Sequence, residues 1–130
     1  VFLLGLLSMA PSAHAAPWHN HLTLPSGDEV QLRTEGRRVQ PAGSRGEIDL
    51  PVRVRFATPV DSPAGSVVMA DAKVRLICKD GTVSATAIKP RDANQKLVAT
   101  KEGKTAANAT RAALMQVLAA QAVIDSLCRR

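Results

Sequence analysis

The chain has 130 residues, 45% of them hydrophobic, 22% charged and only 2% aromatic. That length holds one domain, and the apolar share is enough for a core, which excludes a wholly disordered chain. With 17 Lys and Arg against 11 Asp and Glu, the formal charge of +6 points to anionic partners without naming one.

Residues 1–15, VFLLGLLSMAPSAHA, open with an apolar run too short to span a bilayer, broken by Pro11 and closed by Ala13-His14-Ala15. Small residues at those two positions after such a run predict a signal peptide cut after Ala15. The basic start that normally precedes it is missing, so the precursor is expected to begin further upstream. No cysteine stands at the cut, so no lipid anchor is expected. Residues 16–130 are read as a single exported domain without a membrane span.

Residues 16–28 hold two prolines and Ser26-Gly27-Asp28, and read as an irregular entry segment. A strand is predicted over 29–34, with Val30 and Leu32 on one side, and Gly36 could turn it into residues 37–39. Residues 40–46 read as a loop. The strongest strand signal is 48–58, where Ile48, Leu50, Val52, Val54 and Phe56 recur at period two, with Pro51 on the other face marking an edge or a bulge. After a second loop, 59–66, a strand is predicted within 67–79, with Val74, Leu76 and Cys78 on one face. Asp80-Gly81 signals a hairpin into a strand over 82–89, ended by Pro90-Arg91-Asp92. Residues 95–101 could add one more short strand.

From Thr105 to the end the chain is alanine-rich and free of Gly and Pro. Leu114, Val117, Leu118, Ile124, Leu127 and Cys128 follow helical spacing, which predicts one amphipathic helix. Four to six antiparallel strands followed by a helix make an α+β domain. In an oxidising compartment two cysteines usually pair, and a Cys78–Cys128 bridge would close a loop of about 50 residues, worth roughly 4 kcal/mol. An intermolecular bridge and two separate buried thiols are the alternatives. Cys78 shares a face with Val74 and Leu76, and Cys128 shares one with Ile124 and Leu127, so a bridge would lay the helix across the sheet.

The layout resembles the surface-adhesin protein E family of exported proteobacterial proteins. The matching features are Trp18 soon after the cut, the strand over 52–59, Cys78-Lys79-Asp80-Gly81-Thr82 at a strand-to-strand turn, and the closing Ser126-Leu127-Cys128-Arg129-Arg130. The resemblance implies an antiparallel sheet with a disulfide-tethered C-terminal helix. It also implies a location in the periplasm or at the cell surface of a Gram-negative bacterium, and an adhesin-like role.

Catalytic patterns are weak. Gly103-Lys104-Thr105 lacks the upstream glycine of a phosphate loop, so no nucleotide is expected, and no cofactor is. Glu47 and Asp49, two apart on a strand, could in principle be paired carboxylates but are better read as an outward polar face. His19 and His21 form a weak metal candidate that wants a third ligand. The leading candidate is a basic face: Arg53, Arg55, Lys73, Arg75 and Lys79 project opposite the apolar side chains. The expected function is therefore a non-enzymatic module that binds an anionic surface, glycan or protein. The alternatives are a periplasmic assembly or inhibitor subunit that binds a protein, and metal handling.

Overall fold

The computed structural model describes residues 17–33 and 46–128. The expected signal peptide, the turn at Gly36, residues 37–39, nearly all of the 40–46 loop and Arg129-Arg130 lie outside the described residues. Five strands and two helices follow one another: β1 (Trp18–Thr23), β2 (Glu29–Arg33), β3 (Glu47–Ser62), β4 (Gly65–Ile77), β5 (Thr82–Arg91), α1 (Ala107–Leu118) and α2 (Gln121–Cys128). The strands form one antiparallel sheet in the order β1-β2-β3-β4-β5, so each pairs with its neighbour in sequence.

β1 replaces the irregular entry segment expected there. Its residues, WHNHLT, lack apolar alternation because β1 is a largely exposed edge strand, held by pairing Trp18 with Arg33 and Leu22 with Val30 around an irregularity at His21. The loop expected over 59–66 is instead the tip of a long hairpin. β3 runs on to Ser62, whose hydroxyl donates to the Gly65 carbonyl at 2.7 Å, and the turn needs the positive φ of Gly65 (137°). Pro59 is tolerated because the β3–β4 register shifts between Arg55 and Val60, where no ladder bond is lost. Pro51 sits one step past Leu32↔Val52, the last pair between β2 and β3, so it meets a local edge.

At the other end β4 stops at Ile77, whose carbonyl accepts from Asp80 N and Gly81 N at 3.2 and 2.8 Å. The Asp80-Gly81 hairpin therefore has four loop residues, because Ile77 pairs with Thr82. β5 runs through Pro90, which pairs with Ala70; the Pro90 carbonyl accepts from Val98 N at 2.9 Å, so its proline nitrogen also faces away from β4, where no donor is required. Residues 95–101 do not form the strand expected there. They make two isolated bridges, Arg91↔Leu97 and Ala99↔Thr105, after a turn in which Asp92 accepts from Asn94 N and Lys96 N.

One sheet face packs on the helices. Val30, Leu32, Leu50, Val52, Val54, Phe56, Val74 and Leu76 meet Leu114, Val117 and Leu118 of α1 and Val123 of α2 in a single core. The single helix expected from Thr105 is broken at Ala119-Ala120, and the two halves meet at 69°. Neither Gly nor Pro causes the bend. Ala119 N still bonds to Met115 O, whereas Ala120 N bonds to Val117 O, a tightened last turn. Propensity favours one continuous helix, but a straight one would carry Val123 and Cys128 along the axis of α1. Bent, it buries Val123 (1% exposed) and brings Cys128 to Cys78. The Cys78–Cys128 disulfide spans 5.7 Å between Cα atoms and ties α2 to the sheet. No single helix among the described residues is long and apolar enough to cross a membrane.

Candidate anion-binding face

Alternation along β3 and β4 sends Leu50, Val52, Val54, Ala70, Ala72 and Val74 into the core and their neighbours to the face away from the helices. Register then sets out that outer face in rows. Glu29, Arg55, Met69 and Arg91 are successive partners across β2 to β5, followed by the row Gln31, Arg53, Asp71 and Lys89. Next come Pro51, Lys73 and Thr86, then Asp49, Arg75 and Ser84. β1 adds Trp18, opposite Arg33.

Two knots of charge organise this surface. Arg53 holds Asp71 through Nε–Oδ1 at 2.6 Å and Nη2–Oδ2 at 3.0 Å, and Arg91 Nε reaches Oδ2 at 2.9 Å. The side chains of Arg53 and Asp71 are only 11% and 17% exposed. Burial alone would raise the Asp71 pKa, but hydrogen bonds and charge from Arg53 and Arg91 outweigh it and hold the carboxyl below its ordinary value. Gln95, at a φ of 66°, folds over the knot: its carbonyl accepts from Arg91 Nη1 at 3.0 Å, and its side-chain oxygen from Arg53 Nη1 at 3.5 Å. The second knot is more exposed. Arg75 donates to both Asp49 oxygens at 3.0 and 3.2 Å and lies 4.0 Å from Glu47; the Asp49 hydrogen bond raises the Arg75 pKa further.

The basic face expected from alternation carries matching acids as well. Arg53 and Arg75 are each matched by a carboxylate on a partner strand, because Asp71 and Asp49 share their face and register. Lys79 leaves the face: it lies exposed in the turn after β4. Arg55 and Lys73 stay exposed on the face, and neither has an ion-pair partner among the described residues. Sequence reasoning missed Asp71, Arg91, Lys89, Arg33 and the role of Trp18. The first was readable, since Asp71 has the same parity as Lys73 and Arg75; the others needed the register of strands whose limits were not.

Trp18 has two guanidiniums at its ring, with Arg33 Cζ 4.7 Å and Arg53 Cζ 4.9 Å from the centroid. Contacts of this kind contribute about 0.5–1 kcal/mol at exposed sites. Arg33 Nε is buried and meets no hydrogen-bond partner among the described residues.

The metal candidate is not assembled around a third ligand. His21 Nε2 lies 3.1 Å from Ser126 Oγ of α2, and no group of three His, Cys, Asp or Glu among the described residues could hold an ion. Cys78 and Cys128 are consumed by their bridge and cannot supply thiolates. On the helix side a cleft of about 450 Å³ opens between the β1–β2 turn, β3 and α1, lined by Leu24, Phe56, Val60 and Val117 among others. Its carboxylate, Asp28, is already engaged by Ala57 N and Ser26 Oγ, both at 2.7 Å.

No family model, curated protein or solved structure matches the chain. What the molecule does is read from its own surfaces.

Proposed function

We propose that the protein is an exported, non-enzymatic binding module that presents the outer face of its sheet to an anionic polymer. One observation carries the reading: the face sets Arg33, Arg53, Arg55, Lys73, Arg75, Lys89 and Arg91 against only four carboxylates, Glu29, Glu47, Asp49 and Asp71. The two knots hold that surface rigid while Arg55, Lys73 and Lys89 project from it. Export belongs to the proposal, supported by the signal-like residues 1–15 and by a disulfide that suits an oxidising compartment. So does membership of the surface-adhesin protein E family, supported by a sheet that carries a disulfide-tethered C-terminal helix.

The test is retention of the disulfide-intact protein on immobilised heparin across a salt gradient. Arg55→Ala, Lys73→Ala and Lys89→Ala together remove exposed charge without touching either knot, so the melting temperature should hold while retention collapses. Undiminished retention by the triple variant would refute the reading.

A further inference from the structure

Arg33 is the anomaly of the outer face. A guanidinium is always charged and carries five donors in a planar fork. Arg53 spends its fork on Asp71 and Gln95, Arg91 on Asp71 and the Gln95 carbonyl, and Arg75 on Asp49. Arg33 has the Trp18 ring at 4.7 Å, a buried Nε without an acceptor, and no paired carboxylate among the described residues. The nearest acidic residue on its own strand, Glu29, is turned to Gln31 Nε2 at 3.4 Å. A cation held by an aromatic ring, whose fork meets no carboxylate among the described residues, is suited to an oxyanion supplied from outside.

The surroundings narrow the ligand. Arg33 stands one residue past the Leu32↔Val52 pair, so the β2–β3 register carried one step further sets it toward Pro51 and, on the next strand, Lys73, which is exposed and has no ion-pair partner among the described residues. Arg33 and Lys73 stand on strands two spacings apart, roughly 10 Å. Two cations so placed, with the rings of Trp18 and Pro51 beside the first, suit charged groups on successive sugars of an extended acidic glycan. A lipid surface fits poorly, because Leu97 is the one large hydrophobic side chain exposed among the described residues, too little to anchor in a bilayer. Single-stranded nucleic acid fits poorly as well, since the only tryptophan already has guanidiniums at its ring.

We infer that Arg33, held by Trp18 and extended by Lys73, is the oxyanion subsite of this face and takes a sulfate or carboxylate group of an acidic polysaccharide. The inference rests on the anionic-polymer reading above and assigns its centre. The guanidinium lies against the Trp18 ring, so an anion seated on it changes that ring's surroundings. The chain's single tryptophan therefore reports occupancy without a label.

The experiment titrates the disulfide-intact protein with heparin-derived oligosaccharides and, separately, with a carboxylate-only polysaccharide of the hyaluronan type, following Trp18 emission and affinity. A saturable emission change is expected with at least one of them, and the stronger responder identifies sulfate or carboxylate as the preferred group. Arg33→Ala should weaken binding at least tenfold and abolish the emission change. Arg33→Lys keeps the charge but not the fork; it should behave nearly as badly, and it serves if the alanine variant folds poorly. Lys79→Ala removes one exposed charge from the turn after β4, off this face, and should cost less than threefold. Equal losses in Arg33→Ala and Lys79→Ala, or full affinity in Arg33→Lys, would overturn the subsite while leaving general anion binding intact. No binding of either glycan by the parent protein overturns both readings, and an emission change with phosphatidylglycerol vesicles alone overturns the glycan assignment.

Discussion

Asp71 does more for the outer face than any cation there, because two guanidiniums share its single charge. Asp71→Asn keeps the side chain's shape but leaves Arg53, 11% exposed, beside a neutral amide. A loss of about 2–3 kcal/mol is expected, measured by urea unfolding at pH 7. The depressed pKa also fixes a pH dependence. Above the unfolded value, about 3.9, the carboxyl is ionised in both states and its contribution is complete. As pH falls below that value toward the lower folded pKa, the unfolded chain takes up the proton first, and stability declines. Unfolding free energies of the parent and of Asp71→Asn, compared between pH 6 and pH 2, should show a shallower acid loss in the variant; parallel curves would contradict it. A second residue has no such latitude. Gly27 adopts a φ of +98°, and a Cβ there would stand 3.1 Å from the Ala57 Cβ, so Gly27→Ala should cost about 1–3 kcal/mol in the same assay.

Among the elements, α2 depends most on a single link. Eight residues are too few for an independent helix, and Val123 is the only one of them fully buried. Cys128→Ser should remove about 4 kcal/mol by the chain-entropy model, and amide exchange in residues 121–128 should rise far more than in β3 or β4. Uniform acceleration across the sheet would show that the bridge supports the whole fold. The same element shows where sequence reading stops. Composition and spacing fix the existence of a helix after Thr105, and the shared faces of Cys78 and Cys128 anticipate the bridge. The bend does not announce itself, because Ala119 and Ala120 have high intrinsic helix propensity and only the tertiary position of Val123 and Cys128 opposes them. β1 was hidden for the converse reason: its residues gain order from pairing with β2 rather than from burial, so no apolar alternation marks it. On the outer face the cations were legible as a type, while their neutralisation by Asp49 and Asp71 depended on the β3–β4 register.

At the scale of the whole molecule, the sheet separates two kinds of chemistry by one strand thickness. Apolar residues at alternate positions of β2, β3 and β4 form the core with α1 and α2, and the intervening positions build the charged lattice. Changes on one side should leave the other nearly undisturbed, which is why charge removal at Arg55, Lys73 and Lys89 is expected to spare the melting temperature. The disulfide has a consequence in time as well as in energy. Every strand pairs with the one before it, so the sheet can assemble as the chain emerges, hairpin by hairpin. Cys128, however, follows all five strands and α1, and its partner waits 50 residues upstream. Cys78 therefore stays a free thiol until Cys128 of α2 arrives, open in the meantime to exchange with any disulfide it meets. Pulse-labelling of cysteines during refolding of the reduced protein in a buffer of oxidised glutathione should find Cys78 alkylated long after the β-sheet signal has reached its plateau, and adding a thiol–disulfide isomerase to that buffer should shorten the interval rather than speed the sheet.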